Sequence, residues 1–267
     1  MAYAVTDDSI EIAGKRLECR WIGPPPGEAP TIVLLHEGLG CISMWRDFPQ
    51  KLAEATGMGV FVYSRAGYGQ SDPAELPRAA HYLDDEATQV LPALLEAIGF
   101  QRGVLLGHSD GASIATIYAG SIQDHRVRGL VLFAPHFFVE DVTIESIRKA
   151  KADFDGGGLR KKLGAFHRDV DNAFNGWADI WLSAEFRDWS LEDSIAHIRV
   201  PTQIVQGKDD KYGTSAQIDM AVDEAYSPVD AAFLDDCGHA PHLERREETL
   251  AATKAFLDRL DAMERAA

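Results

Sequence analysis

Gly107-His108-Ser109-Asp110-Gly111 is the strongest chemical signal in the chain. It fits G-x-S-x-G and lies between an apolar run, residues 103–106, and a helical stretch, residues 112–119. A serine in a sharp strand-to-helix turn has its hydroxyl lifted above the sheet, and small flanking residues let the backbone turn that tightly. The helix that follows brings free N–H groups and a positive dipole end to the same spot, suited to a developing oxyanion. A serine hydroxyl is a weak nucleophile until a base takes its proton. The late segment Asp235-Asp236-Cys237-Gly238-His239-Ala240-Pro241-His242 offers two imidazoles. His239, directly after Gly238 at the exit of the last expected strand, is the better placed base; His242 falls at the start of the last helix. The base needs an acid to fix its tautomer and stabilise its charged form. Gln206-Gly207-Lys208-Asp209-Asp210 follows the next-to-last strand and gives the chain order Ser, Asp, His. Chemistry alone leaves Asp209 and Asp210 both open.

These residues need a frame that brings them together. Residues 9–12 and 17–22 predict a hairpin, and residues 31–35, 59–63, 103–106 and 130–133 are apolar runs of strand length. Helical spacing falls between them, over about 44–55, 82–98 (despite Pro92) and 112–119. The rhythm breaks over about residues 136–199, which hold helical segments, Gly156-Gly157-Gly158 and the tryptophans Trp177, Trp181 and Trp189. It resumes with strands at 202–206 and 231–234 and helices at 215–225 and 247–263. The pattern predicts an α/β fold, a mostly parallel central sheet flanked by helices, with a helical cap insertion. The core domain is expected over residues 1–135 and 200–267, and the cap over 136–199. Loops at the carboxyl ends of parallel strands converge on one face, which is where Ser109 and the two late loops fall.

The chain resembles the α/β-hydrolase superfamily, in its capped, esterase-like branch, over nearly its whole length. The resemblance rests on the Gly107–Gly111 elbow, on Gly207-Lys208-Asp209-Asp210, which is similar to G-x-x-D, and on Gly238-His239-Ala240-Pro241-His242-Leu243-Glu244, which is similar to G-H-x-x-H-x-E. It implies Asp210 as the acid and supports His239 as the base. The loop beginning at His36 resembles the family's oxyanion loop, which implies the N–H groups of Gly38 and Asp110 as oxyanion donors. The chain departs from the pattern at Glu37, where glycine is common, at Asp110, where an apolar residue is common, and at Ser64-Arg65-Ala66. Negative charge beside a forming oxyanion slows the reaction unless it is turned away or neutralised. Glu37 and Asp110 are therefore expected to hydrogen-bond outward and brace their loops, or else to favour a cationic or hydroxyl-rich substrate. Leu39, Trp45, Phe137, Phe138, Phe174, Trp177, Trp181 and Trp189 are candidate pocket residues, which suggests an organic substrate with an apolar part.

The expected reaction is hydrolysis of a small-molecule ester through an acyl-enzyme. Lactone, thioester, amide or carbon–carbon bond hydrolysis, or a slow-turnover small-molecule receptor, would use the same residues. A net charge of −16 repels phosphate backbones and anionic membranes, so neither nucleic acid nor a membrane is expected as a partner. Three cysteines, Cys19, Cys41 and Cys237, without a C-x-x-C pair do not make a disulfide framework. With no leader pattern in the first residues and no membrane-length apolar run, a cytoplasmic setting is expected. No metal-ligand spacing or phosphate-binding glycine motif is present, so no cofactor is implied. The expected partner is a small-molecule substrate; an exposed cap also leaves room for a homodimer.

Overall fold

The computed structural model describes residues 3–266; the outermost positions of the expected core domain, Met1, Ala2 and Ala267, lie outside them. Eight strands form one sheet: β1 (Val5–Ile12), β2 (Lys15–Ile22), β3 (Thr31–Leu35), β4 (Gly59–Tyr63), β5 (Gly103–His108), β6 (Val127–Phe133), β7 (Thr202–Gly207) and β8 (Val229–Leu234). Their spatial order is β1-β2-β4-β3-β5-β6-β7-β8. The β1–β2 hairpin and the β2–β4 pair are antiparallel, and every other pairing is parallel.

The central strands read as unbroken apolar runs because both of their faces are covered. Alternate residues on a strand point to opposite sides. Val33, Leu35 and Leu105 enter one buried cluster, while Ile32, Leu34 and Leu106 enter the other. Helix α1 (Phe48–Thr56) packs on the second face. Helix α2 (Tyr82–Asp85) runs through a π-turn (Glu86–Val90) into α3 (Leu91–Ala97), and α4 (Asp110–Ser121) follows β5; these cover the first face. The wide π-turn lies directly before Pro92, which has no N–H to give to the preceding turn, so the segment stays helical through it. The helix expected from about residue 44 is split: a 3-10 turn (Ile42–Trp45) ends at Arg46, φ 55°, before α1 begins.

Four helices stand between β6 and β7: α5 (Asp141–Asp155), α6 (Gly158–Leu163), α7 (Val170–Trp181) and α8 (Glu192–Ala196). They form the helical cap. Polar ties fasten it over the carboxyl ends of the strands. Asn172 Nδ2 donates to Ala74 O, and its Oδ1 accepts from Ala74 N, both at 2.9 Å. Trp181 Nε1 donates to the Tyr82 hydroxyl at 2.9 Å. After β7 come α9 (Ala216–Glu224), then β8, α10 (Pro241–Glu244) and α11 (Arg246–Ala266), whose Phe256, Leu257 and Leu260 close the second face with α1. No described helix is long and apolar enough to cross a membrane.

Candidate active site

Ser109 joins β5 to α4 at φ 53°, ψ −118°, a left-handed region that costs a non-glycine residue of order 1–3 kcal/mol. The surrounding contacts hold it there. A Cβ on Gly107 would lie 2.3 Å from Gly111 O, and one on Gly111 would lie 2.0 Å from Leu35 O. Both neighbours must therefore be glycine for β5, α4 and β3 to approach this closely. Ser109 N donates to Phe133 O at 2.9 Å, which ties the turn to β6 as well.

The loops after β7 and β8 meet the turn. His239 Nε2 is 3.0 Å from Ser109 Oγ, and His239 Nδ1 is 2.8 Å from Asp210 Oδ2. A carboxylate only accepts, so the proton sits on Nδ1 and the Nε2 lone pair faces the serine hydroxyl. Asp210 is itself held: Oδ2 accepts from Gln206 Nε2, and Oδ1 accepts from Tyr212 N, both at 2.8 Å. Burial opposes charge on Asp210, but the hydrogen bond and charge of His239 and the Tyr212 N–H outweigh it and hold the carboxyl at about 2. Asp209 contributes its backbone N–H to Cys237 O at 2.8 Å, and its carboxylate does not reach His239. His242 is buried among Trp45, Phe48 and Phe133, away from the serine, and burial pushes it down to about 3. Burial also pushes the Cys237 thiol up to about 11, so it offers little thiolate.

Facing Ser109 is the loop after β3. Arg65, fully buried, donates to the carbonyls of His36 and Glu37, and its N–H donates to His36 Nε2 at 3.0 Å. His36 Nδ1 donates to Glu37 O at 2.7 Å. From the cap side, His167 Nε2 donates to Leu39 O and Nδ1 accepts from Gly69 N, both at 3.0 Å. Gly38 is covered by Trp177: a Cβ there would lie 2.2 Å from the indole nitrogen. Among the described residues, neither Gly38 N–H nor Asp110 N–H has an acceptor, and both residues border the same cavity as Ser109.

The two unusual carboxylates are engaged by protein partners. Asp110 Oδ2 accepts from the Tyr82 hydroxyl at 2.7 Å. Burial raises the Asp110 carboxyl, and the Arg65 cation works against that rise. Glu37 Oε2 lies 3.3 Å from His108 Nδ1. Burial opposes charge on Glu37, but the His108 contact wins and holds its carboxyl well below the usual carboxylate range. His108 Nε2 in turn donates to the backbone carbonyl of His239 at 2.7 Å.

Ser109 and His239 open on a cavity of about 110 Å³. Of the residues expected around it, Glu37, Gly38, Leu39, Asp110, Trp177 and Trp181 line it. Trp45, Phe137 and Phe138 do not. Trp45 lies on the other face of the sheet, its ring 4.7 Å from His242. Phe137 is buried in the core with its N–H on Gln217, and Phe138 bridges to Ser190. Phe174 stacks on Phe154 at 3.9 Å, and Trp189 stacks on Phe186 at 5.0 Å, so both are cap core. His136, Thr143, Ile147 and Tyr212 also line the cavity and were not foreseen. His136 and Tyr212 follow the carboxyl ends of β6 and β7, a position that the convergence rule for such loops points to. Thr143 and Ile147 are four apart on α5 and so share one helix face. A larger groove of about 250 Å³ lies at the opposite ends of the strands, among Pro30, Met58 and Arg102, far from this chemistry. Among the described residues no group of three or more His, Cys, Asp or Glu side chains is arranged to hold a metal ion.

A serine at a strained strand-to-helix turn, hydrogen-bonded to a histidine that is bonded to an aspartate, on a mostly parallel sheet under a helical cap, is the arrangement of a hydrolase of the α/β class. The chain belongs to the alpha/beta hydrolase family, whose sequence model matches residues 32–253. It is 23% identical over 273 residues to a proline iminopeptidase of Lactobacillus helveticus, covering 88% of this chain and 92% of that one. It is 27% identical over 213 residues to the 2-hydroxy-6-oxononadienedioate/2-hydroxy-6-oxononatrienedioate hydrolase 2 of Pseudomonas putida, covering 69% and 72%. Among solved structures, a membrane phospholipase A described as a bacterial virulence factor superposes with a TM-score of 0.78 at 22% identity, covering 96% of this chain and 87% of that one.

Proposed function

We propose that the protein is a serine hydrolase that cleaves a small-molecule carboxylic ester through an acyl-enzyme. The observation that carries this reading is the unbroken chain from Ser109 Oγ to His239 Nε2, 3.0 Å, and from His239 Nδ1 to Asp210 Oδ2, 2.8 Å. Ser109 Oγ attacks the ester carbonyl while His239 Nε2 takes its proton, and Asp210 stabilises the imidazolium. The N–H groups of Gly38 and Asp110 hold the oxyanion. One such donor is worth about 10²–10³ in rate in related chemistry. His239 then gives the proton to the leaving alcohol, the ester C–O bond breaks, and acyl-Ser109 remains. A water deprotonated by His239 attacks the acyl carbon, and the carboxylic acid leaves as Ser109 regains its proton.

Leu39, Ile147, Trp177 and Trp181 give the cavity apolar walls, and its lining holds neither Lys nor Arg. The Pseudomonas putida relative acts, by its name, on dienedioates. A dianion of that kind would meet Glu37 and Asp110 here with no cation in the lining to balance it, which favours an uncharged ester. Hydrolysis of p-nitrophenyl esters of increasing acyl length, by the wild type and Ser109→Ala, tests the reading. Turnover of short esters that vanishes in Ser109→Ala agrees with it. Equal turnover by the variant defeats it.

A further inference from the structure

His136 lines the same cavity as Ser109 and His239, yet neither of its ring nitrogens has a hydrogen-bond partner among the described residues. Its placement is tightly built. It follows β6 by way of Ala134, which is held at φ 44°, a conformation that costs a non-glycine residue energy and that recurs where a side chain must be aimed. Ser113 Oγ donates to His136 O at 2.6 Å, and the next residue, Phe137, gives its N–H to Gln217 Oε1 at 2.6 Å. The ring stands edge-on to Trp181 at 5.3 Å and lies 5.5 Å from the ring of His239. Only 3% of the residue is exposed.

Burial first, and the neighbouring His239 second, push the His136 imidazole down to about 3, so the ring is neutral at neutral pH. A neutral imidazole carries one N–H and one bare lone pair. Nδ1 is sealed in the protein without a partner, whereas Nε2 is not sealed in this way and belongs to a ring that lines the cavity. An orphaned N–H inside a protein is rarer than an unfilled acceptor. The proton therefore belongs on Nε2, the nitrogen that meets the cavity.

We propose that His136 donates a hydrogen bond from Nε2 to an acceptor oxygen of the substrate, a keto or ether oxygen near the scissile carbonyl, and thereby selects oxygenated acyl esters over their hydrocarbon isosteres. This assignment rests on the ester-hydrolase reading and names the substrate class of the same site. Glu37 cannot take this role, because its carboxyl is held well below the usual range and a carboxylate only accepts, and the Asp110 carboxyl is already engaged by the Tyr82 hydroxyl.

The test pairs p-nitrophenyl methoxyacetate with p-nitrophenyl butyrate, which differ by one oxygen in place of a methylene. Each kcat/KM is divided by that ester's spontaneous hydrolysis rate. The wild-type preference for methoxyacetate is expected to fall about tenfold in His136→Phe, the size of one lost hydrogen bond, and to be partly kept in His136→Gln, which retains an N–H donor. An unchanged preference in His136→Phe overturns the assignment. Folding of each variant is checked by circular dichroism. Should both unfold, long-range ¹H–¹⁵N correlation spectra of the wild type decide: a neutral ring with its proton on Nε2 agrees, and a proton on Nδ1 overturns the assignment. Absence of Ser109-dependent turnover of either ester would defeat the hydrolase reading instead, and the tautomer spectrum would still judge His136.

Discussion

The hydroxyl of Tyr82 donates to Oδ2 of Asp110 at 2.7 Å, and that same hydroxyl accepts from Trp181 Nε1 at 2.9 Å. The residue that follows Ser109 is thus tied through α2 to the cap, and its carboxyl is met by a donor beside the proposed oxyanion site. Removing the hydroxyl leaves both the Asp110 oxygen and the Trp181 N–H buried without partners. Tyr82→Phe is expected to lose about 2–6 kcal/mol of stability, read by urea unfolding, at about 1–3 kcal/mol for each orphaned group. A loss under about 0.5 kcal/mol would show that the network carries no weight.

Asp209 and Asp210 separate cleanly in the structure, and kinetics should separate them as well. Asp210→Asn cannot hold the His239 tautomer and should lower kcat by about 10⁴, as loss of this carboxylate does in serine hydrolases. Asp209→Asn touches only a surface carboxylate and should change kcat by less than about twofold. Steady-state kinetics on one ester suffices, and the reverse ranking would reassign the acid.

Gly111→Ala places a methyl group where Leu35 O lies 2.0 Å from the ideal Cβ position. The opposing atoms are strand backbone, which cannot swing aside as a side chain can. The variant should lose more than about 3 kcal/mol or fail to fold, as overpacked sites do. A native-like melting temperature would contradict the close approach of β3 to this turn.

Four buried histidines set an acid limit on stability. Burial pushes His136 and His242 down to about 3, His36 well below the ordinary 6.5 and His167 below it. The unfolded chain therefore binds protons that the folded one refuses between about pH 3 and about pH 6.5, so stability falls as pH drops through that window and is full above it. His136 and His242 should each remove about 1 kcal/mol between about pH 7.5 and about pH 5.5, and the other two add to the loss. Asp110 and Glu86, whose carboxyls burial raises, act in the opposite direction and reduce the net loss. Denaturant unfolding at the two pH values measures it; equal stability at both would contradict the account.

The frame of the site was legible because its signals are local. Apolar runs at β3 to β7, the Gly107–Gly111 turn and the late histidine loop each carry their own geometry, and their chain order places them on one face of a parallel sheet. Tertiary packing decided what the sequence could not. Trp45, Phe137 and Phe138 look like pocket aromatics by type, but their burial goes into the two cores. Trp177 and Trp181 are four apart on α7, and that shared face meets the cavity. No local rule marks Tyr82 as the partner of Asp110, 28 positions away, or His167 as the cap's hold on Leu39. Those ties exist only once the cap has docked.

The central claim is that Ser109 is a nucleophile activated by His239. Fluorophosphonates phosphonylate such serines, and peptide mass spectrometry locates the adduct. The account predicts one adduct on the peptide containing Ser109, with labelling strongly slowed in His239→Ala and abolished in Ser109→Ala. No adduct in the wild type, or an adduct that persists in Ser109→Ala, would contradict it.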